Sequence, residues 1–163
     1  GGRCACFGEK YGDLFDHQTV IYDFPNGTRM FGICHNLIGA AHPGGDWVFG
    51  TKGKAGIGYI DGETKWRYAG PDCNRFDLEH VALFNAIRKG PPLNNTLYMA
   101  RSSMLAIMTT WAGYTGQLVT WDQAMNSTHV VAPQHLTLDA EPPTKPDAAG
   151  SYPMPTPGVT KVF

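Results

Sequence analysis

Six histidines (His17, His35, His42, His80, His129, His135) and four cysteines (Cys4, Cys6, Cys34, Cys73) are the residues most able to carry chemistry in this chain. The densest grouping is Cys34-His35, then His42, then Asp46, in and beside an irregular stretch from His35 to Gly45. A zinc ion needs several N, O or S ligands at about 2.0–2.3 Å from one point. The sequence has neither a helical His-x-x-x-His nor a Cys-x-x-Cys spacing, so the pattern assigns no metal ligands. The reading is that His35, His42 and Asp46 serve as hydrogen-bonding groups at a cleft mouth, with Trp47 beside them as an apolar platform. A hydrolase holding a metal on His35, His42 and Asp46 is a third-ranked alternative.

Asp16-His17 places a carboxylate next to an imidazole, which can fix a histidine tautomer. Neighbouring strand residues point to opposite faces, however, so a direct pair is not expected. His17 is read as a strand-end group available to a polar ligand. Cys4 and Cys6 would share one face of a strand, and all four cysteines are expected to be buried or half-buried free thiols. Trp47, Tyr59, Trp66 and Tyr68 fall on consecutive short strands, where aromatic faces can stack on sugar rings or fill a core. His80 flanks the buried stripe of a helix. Arg101-Ser102-Ser103 lacks the Gly-x-Ser-x-Gly context of a hydrolase nucleophile.

Strands and turns must position these groups in the first part of the chain. Gln18 to Phe24 alternates, with Val20, Tyr22 and Phe24 on one face and Thr19, Ile21 and Asp23 on the other. Asn26-Gly27 provides the positive φ of a tight hairpin, and Thr28 to Cys34 returns as the partner strand. Further strands are predicted at 46–49, 55–60 and 65–68. From Asn74 the period changes. Leu78, Val81, Ala82 and Ile87 repeat near helical spacing, with Asn74 as N-cap and Gly90 as C′ before Pro91-Pro92. A second helix is predicted from about 96 to 114, with Gly116 as its stop. Leu118 to Trp121 is read as a short extended piece. Thr120-x-x-Gln123 has capping-box spacing. The fold class is therefore α+β: a largely antiparallel open β-sheet, a meander, with helices packed on one face.

The chain has 163 residues, of which 42% are hydrophobic and 12% aromatic, so it is not a disordered chain. That length fits one domain, with the sheet over about 2–69, helices over about 74–127 and an extended Pro-rich tail over about 139–163. A net charge of −1 provides no general attraction for nucleic acid or an anionic membrane. No apolar run approaches the ~18 residues of a membrane span. The opening Gly1-Gly2-Arg3 has no basic or apolar segment of a signal peptide. There is no Gly-x-Gly-x-x-Gly after a strand and no phosphate-binding Gly-x-x-x-x-Gly-Lys-[Ser/Thr].

Several stretches together resemble one family. Asp16-His17 through Asn26-Gly27 resembles its first hairpin, and Gly50-Thr51-Lys52-Gly53 its strand-turn signature. Leu78-Glu79-His80 through Gly90 resembles its helix. Tyr98 to Ser103, Tyr114 to Gly116, Thr120 to Asp122 and Pro155 to Lys161 fit the same order. The family is the Gfo/Idh/MocA oxidoreductases, in a bacterial branch with a long C-terminal domain and with both cytoplasmic and exported members. The resemblance implies a protein whose N-terminal Rossmann domain holds NAD or NADP. Its C-terminal domain shapes a site for sugars or cyclitols and forms a homo-oligomer through the open sheet face. It also implies that this chain is the C-terminal portion, with no cofactor of its own. The family's catalytic lysine lies in the missing domain, and no residue here matches its catalytic histidine. His17, His35, His42, Asp46 and Trp47 are then the substrate-contact candidates. The alternative reading is a stand-alone carbohydrate-binding domain using Trp47, Trp66 and the His35–Asp46 loop.

Overall fold

The computed structural model describes residues 1–8, 11–42 and 44–162. Among the described residues, six strands are followed by three helices, an α+β arrangement with open antiparallel sheets. The strands form two sheets. β1 (His17–Asp23) pairs with β2 (Arg29–His35), and β3 (Trp47–Gly50), β4 (Gly53–Gly56), β5 (Tyr59–Gly62) and β6 (Trp66–Arg67) form a meander in chain order. The helices are α1 (Arg75–Lys89), α2 (Thr96–Thr115) and α3 (Trp121–Met125).

Two compact units result. One holds Gly1–Gly39 with Thr96–Phe163, the other Ala40–Asn95. In the first unit the β1–β2 hairpin turns at Pro25-Asn26-Gly27, where Gly27 takes φ +82°. Antiparallel pairing sets Gln18 opposite Cys34, Val20 opposite Gly32 and Tyr22 opposite Met30 on one face. The other face carries His17 with His35, Thr19 with Ile33, Ile21 with Phe31 and Asp23 with Arg29. The first face packs on α2. The Tyr22 hydroxyl bonds the Thr109 hydroxyl and the Leu105 carbonyl. Gly113 gives α2 its close approach, because a Cβ there would lie 2.4 Å from Gln18 Oε1. The Phe15 ring meets the Tyr114 ring at 4.4 Å between centroids.

The C-terminal end of α2 is held by the tail. Thr115 is buried, and its hydroxyl donates to the Trp111 carbonyl at 2.7 Å. Its own carbonyl accepts the Gly158 N–H at 2.6 Å. Gly116 leaves the helix at φ +67°, and the stretch from Leu118 to Thr120 joins no sheet, with Thr120 in extended backbone. α3 opens with the expected capping box: Thr120 accepts the Gln123 N–H, and Gln123 accepts the Thr120 N–H.

In the second unit the segment read as one strand over 55–60 is two strands joined at Ile57-Gly58. Gly58 at φ +78° makes a two-residue hairpin and folds the chain back. Gly53 and Gly62 face each other across β4 and β5. A Cβ on Gly62 would sit 2.1 Å from the Lys52 carbonyl oxygen, so only glycine permits this approach. α1 begins at Asn74, whose side chain accepts the Phe76 N–H at 3.0 Å. Gly90 ends it as the C-cap with extended backbone, φ −138°, rather than as a left-handed C′. Pro91 and Pro92 explain this, since a residue before proline is driven to extended backbone.

The capping box gives a quantitative expectation. Thr120→Ala removes a satisfied N-cap and costs about 1 kcal/mol, read by denaturant unfolding of the first unit. Gly62→Ala should abolish amide-exchange protection across β4 and β5 while β1 and β2 keep theirs. Retained protection at Gly53 and Ala55 would contradict the close approach.

Candidate functional site

The N-terminal segment is anchored at the base of the hairpin. Gly2 bridges to His17: the Gly2 N–H donates to the His17 carbonyl at 3.0 Å, and the Asp16 N–H donates to the Gly2 carbonyl at 3.0 Å. Arg3 ties the following loop down, donating from Nε to the Leu14 carbonyl at 2.7 Å and from Nη2 to the Tyr11 carbonyl at 3.2 Å. These contacts carry Cys4, Ala5 and Cys6 over the side chain of Asp16.

Asp16 is the hub. Its side chain is fully buried, and Oδ2 accepts three consecutive backbone N–H groups: Cys4 at 2.8 Å, Ala5 at 2.7 Å and Cys6 at 2.9 Å. Oδ1 accepts from His17 Nδ1 at 2.7 Å and lies 3.7 Å from Cys4 Sγ. Burial by itself would raise the carboxyl pKa. The N–H groups of Ala5 and Cys6, the His17 ring and the Cys4 N–H together outweigh that and hold it well below the usual carboxylate range. Asp16 is thus an anion inside the fold, neutralised by oriented donors.

The direct Asp16–His17 contact overturns the expectation from strand alternation. Asp16 precedes β1 and sits in a bend, so the two-residue repeat does not apply to it. With Nδ1 occupied by Asp16, the tautomer and ring orientation of His17 are set, and its side chain stays 43% exposed. Desolvation of the sulfur, the Asp16 charge and the thiol–carboxylate hydrogen bond push the Cys4 thiol pKa up. A thiol kept protonated in this way is a poor nucleophile. The expected Cys4–Cys6 strand is absent, because this segment is a bend held by Asp16. Cys4, Cys34 and Cys73 are exposed and Cys6 half-buried, and all are free thiols.

The structure brings His17 and His35 together as cross-strand partners at one end of the open hairpin face. Next to them on that face are Ile33, Phe31 and Ile21, 71%, 61% and 54% exposed. His42, Asp46 and Trp47 belong to the other unit. Pro43, within the irregular stretch from His35 to Gly45, lies outside the described residues. Trp47 shares a sheet face with Phe49, Lys54, Tyr59, Asp61 and Arg67, whereas Trp66 lies on the opposite face with Val48, Ala55 and Ile60. On the Trp47 face the Arg67 guanidinium stacks 5.2 Å from the Tyr59 ring centre and donates to Asp61 at 2.8 Å. Cys4 and Arg3 were not legible as site residues. The one signal was an acidic residue just before a strand, which can cap a preceding loop.

Because the folded state lowers the Asp16 pKa, the stabilisation is complete above the unfolded value of about 3.9 and disappears as pH falls from there toward the folded value. The expected result is that the parent chain loses thermal stability between about pH 4 and pH 2, whereas Asp16→Asn, already weaker at pH 7, shows a smaller loss over that interval. Parallel curves for the two proteins would contradict the assignment.

No protein-family model matches this chain, and neither a curated protein nor a solved structure matches it.

Proposed function

We propose that this chain is the substrate-shaping and oligomerisation portion of an NAD(P)-dependent oxidoreductase acting on sugars or cyclitols. The observation that carries the reading is the one-sided hairpin. β1 and β2 pack on α2 by one face and leave the other open, with His17 and His35 at one end and exposed Ile21, Phe31 and Ile33 beyond. Such a face is a scaffold awaiting a second body: a subunit, a domain, or both. The order of elements supports the same reading, since each stretch of the family resemblance falls on a hairpin, turn, helix or tail in sequence. Met30 lies on the α2 side through its pairing with Tyr22.

The described residues do not fit a dinucleotide. α1 follows Asn74 and α2 follows Asn95, and neither helix opens from a glycine-rich strand-to-helix turn that could cradle a pyrophosphate. On this reading the NAD or NADP would be held by an N-terminal Rossmann domain outside this chain. The role of this chain is to bind and orient: His17, its Nδ1 held by Asp16, offers its outer ring nitrogen to a hydroxyl, and His35 stands beside it. His42, Asp46 and Trp47 lie in the other unit and are not assigned to this face.

A second reading has its own support. Trp47, Phe49 and Tyr59 on one sheet face, with Lys54, Asp61 and Arg67 between them, combine stacking surfaces and hydrogen-bonding groups suited to a sugar ring. Trp66, on the opposite face, drops out of that platform.

Calorimetry and sedimentation of the full chain separate the two. The oxidoreductase reading expects no NAD or NADP binding at micromolar concentration and a homodimer or larger assembly that Ile33→Asp converts to monomer. Micromolar dinucleotide binding or a strict monomer would overturn it. A monomer whose binding to soluble glycans is lost in Trp47→Ala would establish the second reading in its place.

A further inference from the structure

We propose that Cys4 Sγ, Asp16 Oδ1 and His17 Nδ1 form a three-ligand site for a zinc ion, with the fourth position open to water. The inference goes beyond the oxidoreductase reading and does not depend on it. The three ligand atoms all lie within 4.8 Å of one another. The sulfur is 3.7 Å from Oδ1 and 3.8 Å from Nδ1. Tetrahedral zinc, with bonds of about 2.3 Å to sulfur and about 2.0–2.1 Å to nitrogen or oxygen, sets these edges at about 3.5 Å. Two edges of the coordination triangle are therefore nearly in place. The third, Oδ1 to Nδ1, is 2.7 Å and must open to about 3.3 Å. The half-exposed His17 ring supplies that movement, while Asp16 stays fixed.

The arrangement does not serve a Cys-His-Asp relay. In such a relay the thiol faces one ring nitrogen and the carboxylate the other. Here both face Nδ1 of His17. Three groups aimed at one point are a chelate rather than a chain. The preorganisation is already in the fold: Oδ2 of Asp16 is committed to three backbone donors, Oδ1 faces only the His17 ring and the Cys4 thiol, the two groups that would share the ion with it, and the Cys4 N–H holds the thiol-bearing residue at that same carboxylate.

Chemistry selects the ion. A thiolate, a carboxylate and a neutral imidazole carry two negative charges, which a divalent cation balances. Sulfur and nitrogen ligands favour zinc over magnesium or calcium. Binding releases the Cys4 thiol proton to solvent and moves the Nδ1 proton of His17 to Nε2, which keeps the ring neutral. The exposed Cys4 gives the ion a path in and leaves room for water or an anionic ligand.

The test is titration of the reduced, chelator-treated full chain with cobalt(II), followed by zinc. The expected result is one equivalent of cobalt with a thiolate-to-cobalt charge-transfer band and tetrahedral ligand-field absorption, both displaced by zinc. Cys4→Ser should remove the charge-transfer band. His17→Gln should weaken binding at least tenfold, with circular dichroism showing the fold retained in both. Cys34→Ser and Cys73→Ser should leave the band unchanged. No charge-transfer band in the parent chain, a band that survives Cys4→Ser, or one lost in Cys34→Ser or Cys73→Ser would overturn the proposal.

Discussion

A buried carboxylate must be neutralised or it will take up a proton, and the fold of the first unit is arranged around that constraint. Asp16 meets it with backbone donors rather than with a buried basic side chain. Three consecutive N–H groups can point at one oxygen only when the chain wraps around it, so the charge dictates the bend at Cys4–Cys6. Arg3 then satisfies carbonyls on the far side of the loop, and Gly2 extends the β1 edge by one bridge. The electrostatics of one side chain thus determine where a thiol, an imidazole and the start of the sheet are placed.

The second organising feature is that this chain leaves apolar surface open. Among the described residues of the unit Ala40–Asn95 none is buried, and α1 has no buried residue. Among the described residues of the other unit the buried hydrophobic side chains are Val20 and Ala124. At about 25 cal/mol per Å² of apolar area, an open strand face is a strong incentive for association. Helix caps and tight glycine turns make each element locally sound, yet the hairpin face opposite α2 leaves Ile21, Phe31 and Ile33 exposed.

Local signals were legible because their causes are local. Asn26-Gly27, the Asn74 cap, the Thr120–Gln123 capping box and the Gly116 stop all rest on a few neighbouring residues, and each sits where the sequence indicates. The split at Ile57-Gly58 was missed because apolar alternation continues across a glycine that reverses the chain. The division into two sheets rests on long-range pairing, which periodicity does not encode. At the site, His17 and His35 were visible as residue types, and their cross-strand relation followed once the hairpin register was fixed. The Asp16–Cys4 relation spans a loop of twelve positions and is built from backbone N–H groups, which every residue but proline carries, so no side-chain pattern announces it.

The central claim is that an ionised Asp16 holds the Cys4–Cys6 loop against β1. The most direct measurement follows the Asp16 side-chain carboxyl carbon by nuclear magnetic resonance, together with the amide protons of Cys4, Ala5 and Cys6, as pH is lowered. The account expects the carboxyl signal to stay constant through the ordinary aspartate range near 4, with the three amides strongly deshielded and shifting together only at lower pH. An Asp16 carboxyl that titrates near 4, with amides that ignore it, would contradict the account.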